Sequence, residues 1–434
     1  MPSIDIDRVR RLAKESSWIF IGQIVSVAGS LVLVRVLTKH LDPAQYGQLA
    51  LALTLGTLIG QVAFSGSMPG IMRYYSIAAE QGEASNYLLA TRRMMGYGTI
   101  VALGLSVLLL IGLPLFGKAH MLSLTCLTII FTLLGSYNST QSMIQNAARQ
   151  RQVVVLHGSL DAWMRVLFAM GLLTWLGNSA KVVVVAYIVS LLLVLASQAF
   201  FIRRLIPMQA DCVDKTNTWG AQIWQYSKPF VLFNAFTWMQ ASSDRWALET
   251  FTTTQDVGLY AVLIQLGYTP ITMVAGLMTN LIGPILFQRS GNATDPSRNV
   301  GVHKRAWQIT AIALFSTLLG CIIAYLYHDR IFHLLVAAKY HSVSYLLPWM
   351  ILAGGLFSAG QVLGLKLMSD LNTQALIWPK IVTSLLGALL SFTGAYFGGL
   401  TGVVCGAVIF SVLQLLWLGL LSWHPVGVYN QESD

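Results

Sequence analysis

Three ionisable side chains are spaced at helical intervals within one apolar stretch of the sequence, VVVLHGSLDAWMRVLF. His157, Asp161 and Arg165 follow one another at intervals of four residues, so in a helix they share one face. An aspartate four residues before an arginine is the favourable order for a helical ion pair. Such a group can lock one helix to its neighbour, or it can line a cavity that binds a substrate or a coupling proton. Both interpretations are open from the sequence.

Further charges stand near the ends of other apolar runs. Arg35 interrupts LVLVRVLT, and Asp244 and Arg245 interrupt SDRWAL. An arginine there can extend to the membrane interface, or it can face a cavity and bind phosphate or carboxylate oxygens with its planar fork. Lys228 and Lys380 lie next to prolines, and interfacial exposure explains both. The candidate substrate-binding residues are Arg35, His157, Asp161, Arg165, Lys228, Asp244 and Arg245.

No enzyme signature accompanies these charges. The sequence has no glycine-rich P-loop that would cradle the phosphates of ATP, and no histidine and cysteine cluster with the spacing of metal ligands. The cysteines lie far apart, and most fall inside apolar runs, where cysteine behaves as a small hydrophobic residue. They are Cys126, Cys212, Cys321 and Cys405. We therefore expect no catalysis, no cofactor and no metal.

The elements that must position the charges are membrane-spanning helices. The chain has 434 residues, of which 55% are hydrophobic and 10% charged, whereas a soluble domain averages about 25% charged residues. Apolar runs of roughly 20 residues, long enough to cross a bilayer core, recur along the whole length. We predict an all-α polytopic membrane protein with about twelve transmembrane helices. They lie near residues 17–38, 47–70, 94–116, 121–144, 153–176, 182–202, 228–246, 258–286, 307–327, 344–367, 377–397 and 400–423.

The net charge of +10 follows from the placement of the basic residues and does not indicate nucleic-acid binding. Most arginines and lysines lie in segments on the same side of the membrane as the N-terminus. The positive-inside rule identifies such segments as cytoplasmic. Both termini are therefore predicted to be cytoplasmic. The predicted parts are a cytoplasmic segment (1–16), an N-lobe with spans 1–6 (17–202), a cytoplasmic linker (203–227), a C-lobe with spans 7–12 (228–423) and a cytoplasmic tail (424–434).

An internal repeat relates the two halves of the chain. Residues 35–52, RVLTKHLDPAQYGQLALA, match residues 245–262, RWALETFTTTQDVGLYAV, so that each half has an arginine shortly before a corner. Gly47 then matches Gly258, with one residue inserted. Six spans per half is an even number, which predicts a repeat related by an axis along the membrane normal.

Each corner also carries a signal for the start of a helix. In the first half Asp42 can act as an N-cap, Pro43 suits the first helical position, and Gln45 can close a pair that resembles a capping box. In the second half Thr252 and Gln255 offer the same pattern. The sequence therefore predicts a tight corner between spans 1 and 2 and another between spans 7 and 8.

These segments carry a resemblance to a known family. LDPAQYGQLALA resembles the opening element of bacterial oligosaccharide flippases, and DRWAL followed by DVGLYAVL resembles the element that opens their second half. Such flippases belong to the multidrug/oligosaccharidyl-lipid/polysaccharide (MOP) exporter superfamily, with Wzx-type O-antigen flippases, MurJ and the MATE exporters. The resemblance implies a V-shaped pair of six-helix lobes around a central cavity that opens alternately to each side of the membrane.

The resemblance also implies a function. The expected activity is translocation of oligosaccharide repeat units linked to undecaprenyl diphosphate, for O-antigen or capsule, across the bacterial inner membrane. Expected partners are this lipid-linked substrate, membrane lipids, the polysaccharide polymerase and chain-length machinery, and a coupling ion, H⁺ or Na⁺. Arg35 and Arg245 would line the outer half of the cavity, and Arg165 would lie at mid-depth.

Two alternatives stay open. A MATE-like exporter of drugs, coupled to cations, would carry an acidic residue inside span 1 or span 7, as MATE exporters do. Span 1 has no acid, and span 7 has only Asp244 beside Arg245 at its outer end. A membrane scaffold for polysaccharide assembly, without transport, is the second alternative.

Overall fold

The computed structural model describes residues 6–203, 216–276, 296–369 and 377–423. Within these ranges the chain is helical and has no strand, which confirms the predicted all-α fold. The helices are α1 (Ile6–His40), α2 (Pro43–Gly60), α3 (Met68–Glu80), α4 (Ala84–Leu115), α5 (Leu122–Ala147), α6 (Arg151–Leu176), α7 (Ala180–Arg203), α8 (Thr216–Phe251), α9 (Thr254–Leu263), α10 (Pro296–Leu335), α11 (Leu347–Ser369) and α12 (Ile377–Ser422). Turns of π-helix follow α2 (Gln61–Ser65) and α9 (Ile264–Tyr268), and 3-10 turns precede α5 (Ala119–Met121) and α11 (Ala338–Leu346).

Ten helical segments in the described ranges are long and apolar enough to cross a membrane. One of them, Trp378–Ser422, has 45 residues and contains both predicted spans 11 and 12, since Gly399 breaks the helix with φ 54° and ψ −137°. Predicted span 7 corresponds to α8, whose 36 residues extend for about 54 Å at 1.5 Å per residue. The part of predicted span 8 beyond residue 276 lies outside the described residues.

The N-cap predicted before α2 forms but its capping box does not, and the capping box before α9 is shifted by one residue. Asp42 Oδ1 accepts a hydrogen bond from Gln45 N at 2.7 Å and so caps α2. Gln45 Oε1 has no hydrogen-bond partner among the described residues, so no capping box closes there. Before α9 the capping box is formed by Thr253 and Asp256, and the prediction that Thr252 and Gln255 form it was wrong. Thr252 Oγ1 instead donates to Leu248 O at 2.8 Å and ends α8.

The two glycines matched by the repeat lie where helix backbones cross. A Cβ on Gly47 would collide with Thr254 O, and a Cβ on Gly258 would collide with Pro43 O. Any side chain at either position would have to displace a backbone carbonyl, which cannot rotate away as a side chain can. The matched glycines are therefore required by a close approach between the first turn of α2 and the start of α9.

The chain divides into two compact units. The first unit comprises Met1–Leu41 and Gln48–Trp238, and the second comprises Asp42–Gly47 and Met239–Asp434. The predicted lobe bounds, 17–202 and 228–423, stay a prediction, and the predicted segments 203–227 and 424–434 lie partly or wholly outside the described residues.

The first unit includes the N-terminal part of α8 because that part packs against α2, α3 and α4. Ser227 Oγ accepts from Gly70 N at 3.1 Å and donates to Ser67 O at 3.3 Å. Trp238 Nε1 donates to the carbonyl of Thr54 at 2.7 Å. A buried core joins α3, α4 and α8 to α5, and its members are Ile71, Ala78, Tyr87, Ala90, Ile144, Trp219 and Ile223.

The second unit is built mainly on α10, α11 and α12. Leu363 and Leu367 of α11 pack with Leu418 of α12 and with Trp307 of α10 in a small buried core. Lys366 is 1% exposed, and its Nζ donates to the carbonyl of Ser422 at 2.9 Å. The lysine thereby supplies a positive charge and a donor to the C-terminal end of α12, where carbonyl groups lack helical partners.

Candidate functional site

Two charges in the middle of α6 form a two-pronged ion pair. Arg165 Nε donates to Asp161 Oδ1 at 3.1 Å, and Arg165 Nη2 donates to Asp161 Oδ2 at 2.5 Å. The side chains are 28% and 17% exposed, respectively. This two-bond geometry is the strong form of the arginine–carboxylate interaction, because both carboxylate oxygens are used. The predicted pairing of these two residues is therefore present in the structure.

Two neighbouring helices complete the surroundings of the pair. The Arg165 guanidinium carbon lies 5.2 Å from the centre of the Phe131 ring on α5 and 5.4 Å from that of Tyr187 on α7. Both distances are within the range of cation–π attraction. Ser190 Oγ on α7 donates to Asp161 Oδ1 at 3.4 Å. Sequence reasoning missed these three neighbours, since nothing in their spacing relates them to the charges on α6.

His157 belongs to a different set of contacts. It is 1% exposed, with Nδ1 at 2.8 Å from Val153 O and Nε2 at 3.0 Å from Ser197 Oγ. A carbonyl oxygen can only accept, so Nδ1 carries a proton and donates to Val153 O, while Nε2 shares a hydrogen bond with the serine hydroxyl. The ring also packs edge-on against Phe201 at 5.4 Å between ring centres. These contacts bind α6 to α7, and a role of His157 in substrate binding stays a prediction.

Arg35 and Lys228 lie in the first unit, and both side chains are exposed. Arg35 lies on α1, about one turn before the helix ends. Its backbone carbonyl accepts a hydrogen bond from Thr38 Oγ1 at 3.3 Å. Lys228 stands before Pro229 within the uninterrupted helix α8. The roles assigned to both residues stay predictions.

Asp244 and Arg245 lie on α8 in the second unit. Asp244 Oδ1 accepts from the backbone N of Arg245 at 2.8 Å, and its carboxylate also bonds the hydroxyl of the buried Tyr260 on α9. Nε of Arg245 is buried and has no hydrogen-bond partner among the described residues. A buried guanidinium nitrogen without a partner is costly, so this position favours an added acceptor such as an anion or a water molecule.

The second unit has a further cationic contact at Lys380, for which the sequence predicted only exposure at the membrane interface. Lys380 Nζ on α12 donates to Gln240 Oε1 on α8 at 2.5 Å, and Ser384 Oγ lies 3.4 Å from the same oxygen. Lys380 and Ser384 are four residues apart, so they share a helix face, and this spacing was the available signal. In the described part of the chain, no group of three or more histidine, cysteine, aspartate or glutamate side chains is arranged to hold a metal.

Comparisons with known proteins bear on the whole fold. The profile of a family described as polysaccharide biosynthesis protein matches residues 12–289, more than half of the chain. No curated protein gives a significant match.

Several solved membrane transporters are similar to the chain in structure. One is the lipid II flippase MurJ in an inward closed conformation, with TM-score 0.70, 11% identity, and coverage of 95% of this chain and 88% of that one. Another is a multidrug resistance MATE family transporter of the MOP superfamily in its inward-facing conformation, with TM-score 0.64, 14% identity and coverage of 92% and 94%. A third is a MATE transporter of Vibrio cholerae, with TM-score 0.58, 14% identity and coverage of 95% and 96%. At such identities these likenesses establish a shared fold, and they confirm the predicted resemblance in fold to MurJ and the MATE exporters.

Proposed function

The chain belongs to the polysaccharide biosynthesis protein family, and we propose that it is a flippase for lipid-linked oligosaccharides. Its substrate would be a repeat unit of O-antigen or capsule carried on undecaprenyl diphosphate. The protein would move the head group from the inner to the outer leaflet of the bacterial inner membrane by alternating access, with both termini in the cytoplasm.

The charge balance of the helices is the observation that carries this proposal. The acid on α6, Asp161, is held by Arg165 in a two-pronged pair. By contrast, the Nε of Arg245 on α8 is buried and has no hydrogen-bond partner among the described residues. A lipid diphosphate carries negative charge, and moving it through hydrocarbon requires cationic partners in a wet cavity. A pathway for drug cations would require acids that are not matched by neighbouring bases.

Three arginines have separate roles in this proposal. Arg35 and Arg245 would hold the anionic head group or acidic sugars in the outer half of the pathway, and Arg165 would supply charge at mid-depth. The buried, unpartnered Nε of Arg245 supports this assignment, because a bound phosphate oxygen would satisfy it. Arginine also stays charged at any physiological pH, so binding would not depend on its protonation.

Reconstituted flipping tests the proposal. In proteoliposomes loaded with a fluorescent oligosaccharide on undecaprenyl diphosphate, the wild-type protein should move the head group between leaflets. Arg35→Ala should lose most of this activity at normal protein levels, while Arg35→Lys, which keeps charge but not the fork, should retain part of it. Lys39→Ala is the matched control, since Lys39 is an exposed cation on the same helix. Full flipping by Arg35→Ala would contradict the role of Arg35, and an inactive wild-type protein would contradict the function.

A cation-coupled multidrug exporter is the second candidate, and the structural likeness to MATE transporters favours it. The same proteoliposomes distinguish the two functions when they are loaded with a lipophilic cationic dye and given a proton or sodium gradient. Gradient-driven dye movement without lipid flipping would support the exporter. Flipping that responds to only one of the two gradients would identify the coupling ion.

Orientation requires its own measurement. A cysteine introduced near Ser297, in a segment proposed to be cytoplasmic, should react with a membrane-impermeant maleimide only after the cells are opened. Ready labelling from the periplasmic side would overturn the proposed topology.

A further inference from the structure

A cavity of about 520 Å³ lies within the first unit, between residues 62–67, which join α2 to α3, and the helices α4 and α8, the latter by its N-terminal part. This volume is in the range of pockets that bind small molecules or lipid chains. Its walls come from three parts of the chain, so it is a built feature of the fold and not a gap beside a single helix. None of the residues discussed above as candidate substrate-binding groups lines it.

The lining changes from polar to apolar along the helix axes. At one end Arg93 donates from Nη1 to Asn217 Oδ1 at 3.3 Å, and both residues line the cavity. Eight residues further along α4, about 12 Å at 1.5 Å per residue, the wall is formed by Val101, and on α8 it is formed by Val231. The cavity therefore has one cationic end and one hydrocarbon-like end.

The polar end lies on the side of the membrane proposed to be cytoplasmic. Arg93 is in the third turn of α4, which follows the short connection 81–83, and Asn217 is at the start of α8, which follows the proposed cytoplasmic linker. Tyr97 and Trp224 line the cavity near this end, with exposed fractions of 68% and 53%. Exposed tyrosine and tryptophan are typical of the level of lipid head groups, where one edge meets water and the ring meets hydrocarbon.

We propose that this cavity binds the diphosphate-bearing end of a polyprenyl lipid from the cytoplasmic leaflet, before the head group enters the transport pathway. The phosphates would accept hydrogen bonds from Arg93, and the first isoprene units would lie against Val101 and Val231. Charge and lining fit this occupant: an anion meets the arginine, and a chain that stays in the bilayer meets the apolar walls. The inference rests on the proposed flippase function and adds an entry site to it.

Two variants remove the two halves of this site, and each has a matched control. Arg93→Gln removes the charge, and Arg92→Gln changes the neighbouring exposed arginine, which does not line the cavity. Gly220→Leu fills the cavity, because a Cβ on Gly220 would meet no heavy atom within 4 Å. Gly104→Leu adds the same side chain to α4 outside the cavity, again with nothing within 4 Å.

Binding of undecaprenyl diphosphate to the purified full-length protein should be measured by native mass spectrometry, with phosphatidylglycerol and inorganic pyrophosphate as competitors. Flipping should be measured on the same variants in proteoliposomes. Arg93→Gln and Gly220→Leu should each bind the polyprenyl lipid about tenfold more weakly than wild type and flip it more slowly, while both controls behave as wild type. If Gly220→Leu does not accumulate, Trp224→Ala removes an exposed part of the wall instead.

The possible outcomes separate the two levels of the proposal. If wild type flips the lipid and all four variants bind and flip it equally, the entry site is refuted and the flippase function stands. Equal displacement by phosphatidylglycerol would identify a site for ordinary anionic phospholipid, which also refutes the entry site. Displacement by pyrophosphate alone would show that the apolar walls contribute nothing. A wild-type protein that neither binds nor flips the polyprenyl lipid would refute the proposed function itself.

Discussion

Replacement of Asp161 by asparagine should destabilise the first unit. The change removes the negative charge that neutralises Arg165 but leaves the shape of the side chain nearly unchanged. In the wild-type protein the two side chains make two hydrogen bonds and are only 28% and 17% exposed. In the variant, the guanidinium would keep only its contacts with the rings of Phe131 and Tyr187 and a weaker bond to the amide.

The expected loss is about 2–4 kcal/mol in the free energy of unfolding. Removing one partner from a fully buried pair costs about 3–5 kcal/mol, and partial exposure lowers this figure. A solvent-exposed helical pair, at the other extreme, contributes about 0.2–0.5 kcal/mol. The two aromatic rings retain about 0.5–2 kcal/mol of attraction for the cation. Since proteins are stable by about 5–15 kcal/mol, a loss of this size should reduce the amount of folded protein.

A double-mutant cycle measures the interaction directly. The unfolding of Asp161→Asn, Arg165→Gln and the double variant should be followed in detergent by the loss of the monodisperse peak in size-exclusion chromatography after heating or denaturant treatment. The double variant should be more stable than Asp161→Asn alone, because it leaves no uncompensated charge. Glu80→Gln provides the control, since Glu80 is an exposed acid at the end of α3.

The reasoning would be refuted if Asp161→Asn were no less stable than Glu80→Gln and the coupling energy lay below about 0.5 kcal/mol. A double variant that folds normally but does not flip lipid would show that the charges also act in transport. A double variant that folds and flips normally would limit the pair to a dispensable structural contact.

Three further changes test other contacts of the fold. Gly47→Ala should lower the free energy of unfolding by about 1–3 kcal/mol, because its Cβ would strike a backbone carbonyl. Gly104→Ala, where nothing lies within 4 Å of the added Cβ, should be neutral or stabilise by about 0.5–1 kcal/mol. Thermal unfolding compares the two variants, and equal melting temperatures would contradict the close crossing of α2 and α9. His157→Phe should lower stability by about 1–2 kcal/mol, because both ring nitrogens form hydrogen bonds that phenylalanine cannot make; a melting temperature equal to that of wild type would contradict this role. Lys366→Met should cost about 1.5–3 kcal/mol by removing a charged donor from the carbonyl of Ser422, and a melting temperature equal to that of wild type would show that the bond contributes nothing.

The sequence predicted local features where the cause was local. The N-cap at Asp42 depends on residues within three positions, and the structure forms it. The pairing of Asp161 with Arg165 depends on a separation of four residues in one helix, and it is also present. The corner before α9 shows the limit of such patterns, because Thr252 and Thr253 are equivalent in the sequence, and only the point at which α8 ends decides which of them caps the next helix.

Contacts between helices that are distant in the chain were not predictable in this way. Phe131 and Tyr187 lie on either side of α6 in the sequence, and no spacing links them to Arg165. The placement of Asn217 beside Arg93 likewise depends on the packing of α8 against the first unit. A single sequence does not indicate such pairs, because each pair forms only when two helices pack in one particular position. The other contacts between those helices are mostly apolar, and apolar contacts do not specify that position.

The sequence by itself determined that the protein lies in a membrane, that it is helical, and which family it belongs to. These follow from apolar runs matched to the thickness of a bilayer, from the need to satisfy every backbone hydrogen bond within the membrane, and from the two repeated corners. Only the tertiary structure decided what surrounds each ionisable side chain. Aromatic rings lie beside Arg165, a serine and a carbonyl bond His157, and a glutamine bonds Lys380. The physical reason is that nearly every helix face in a bilayer is apolar. Hydrophobicity therefore places a residue in the membrane but does not determine which residue it contacts. Those contacts depend on close packing and on the few hydrogen bonds that the helices can form with one another.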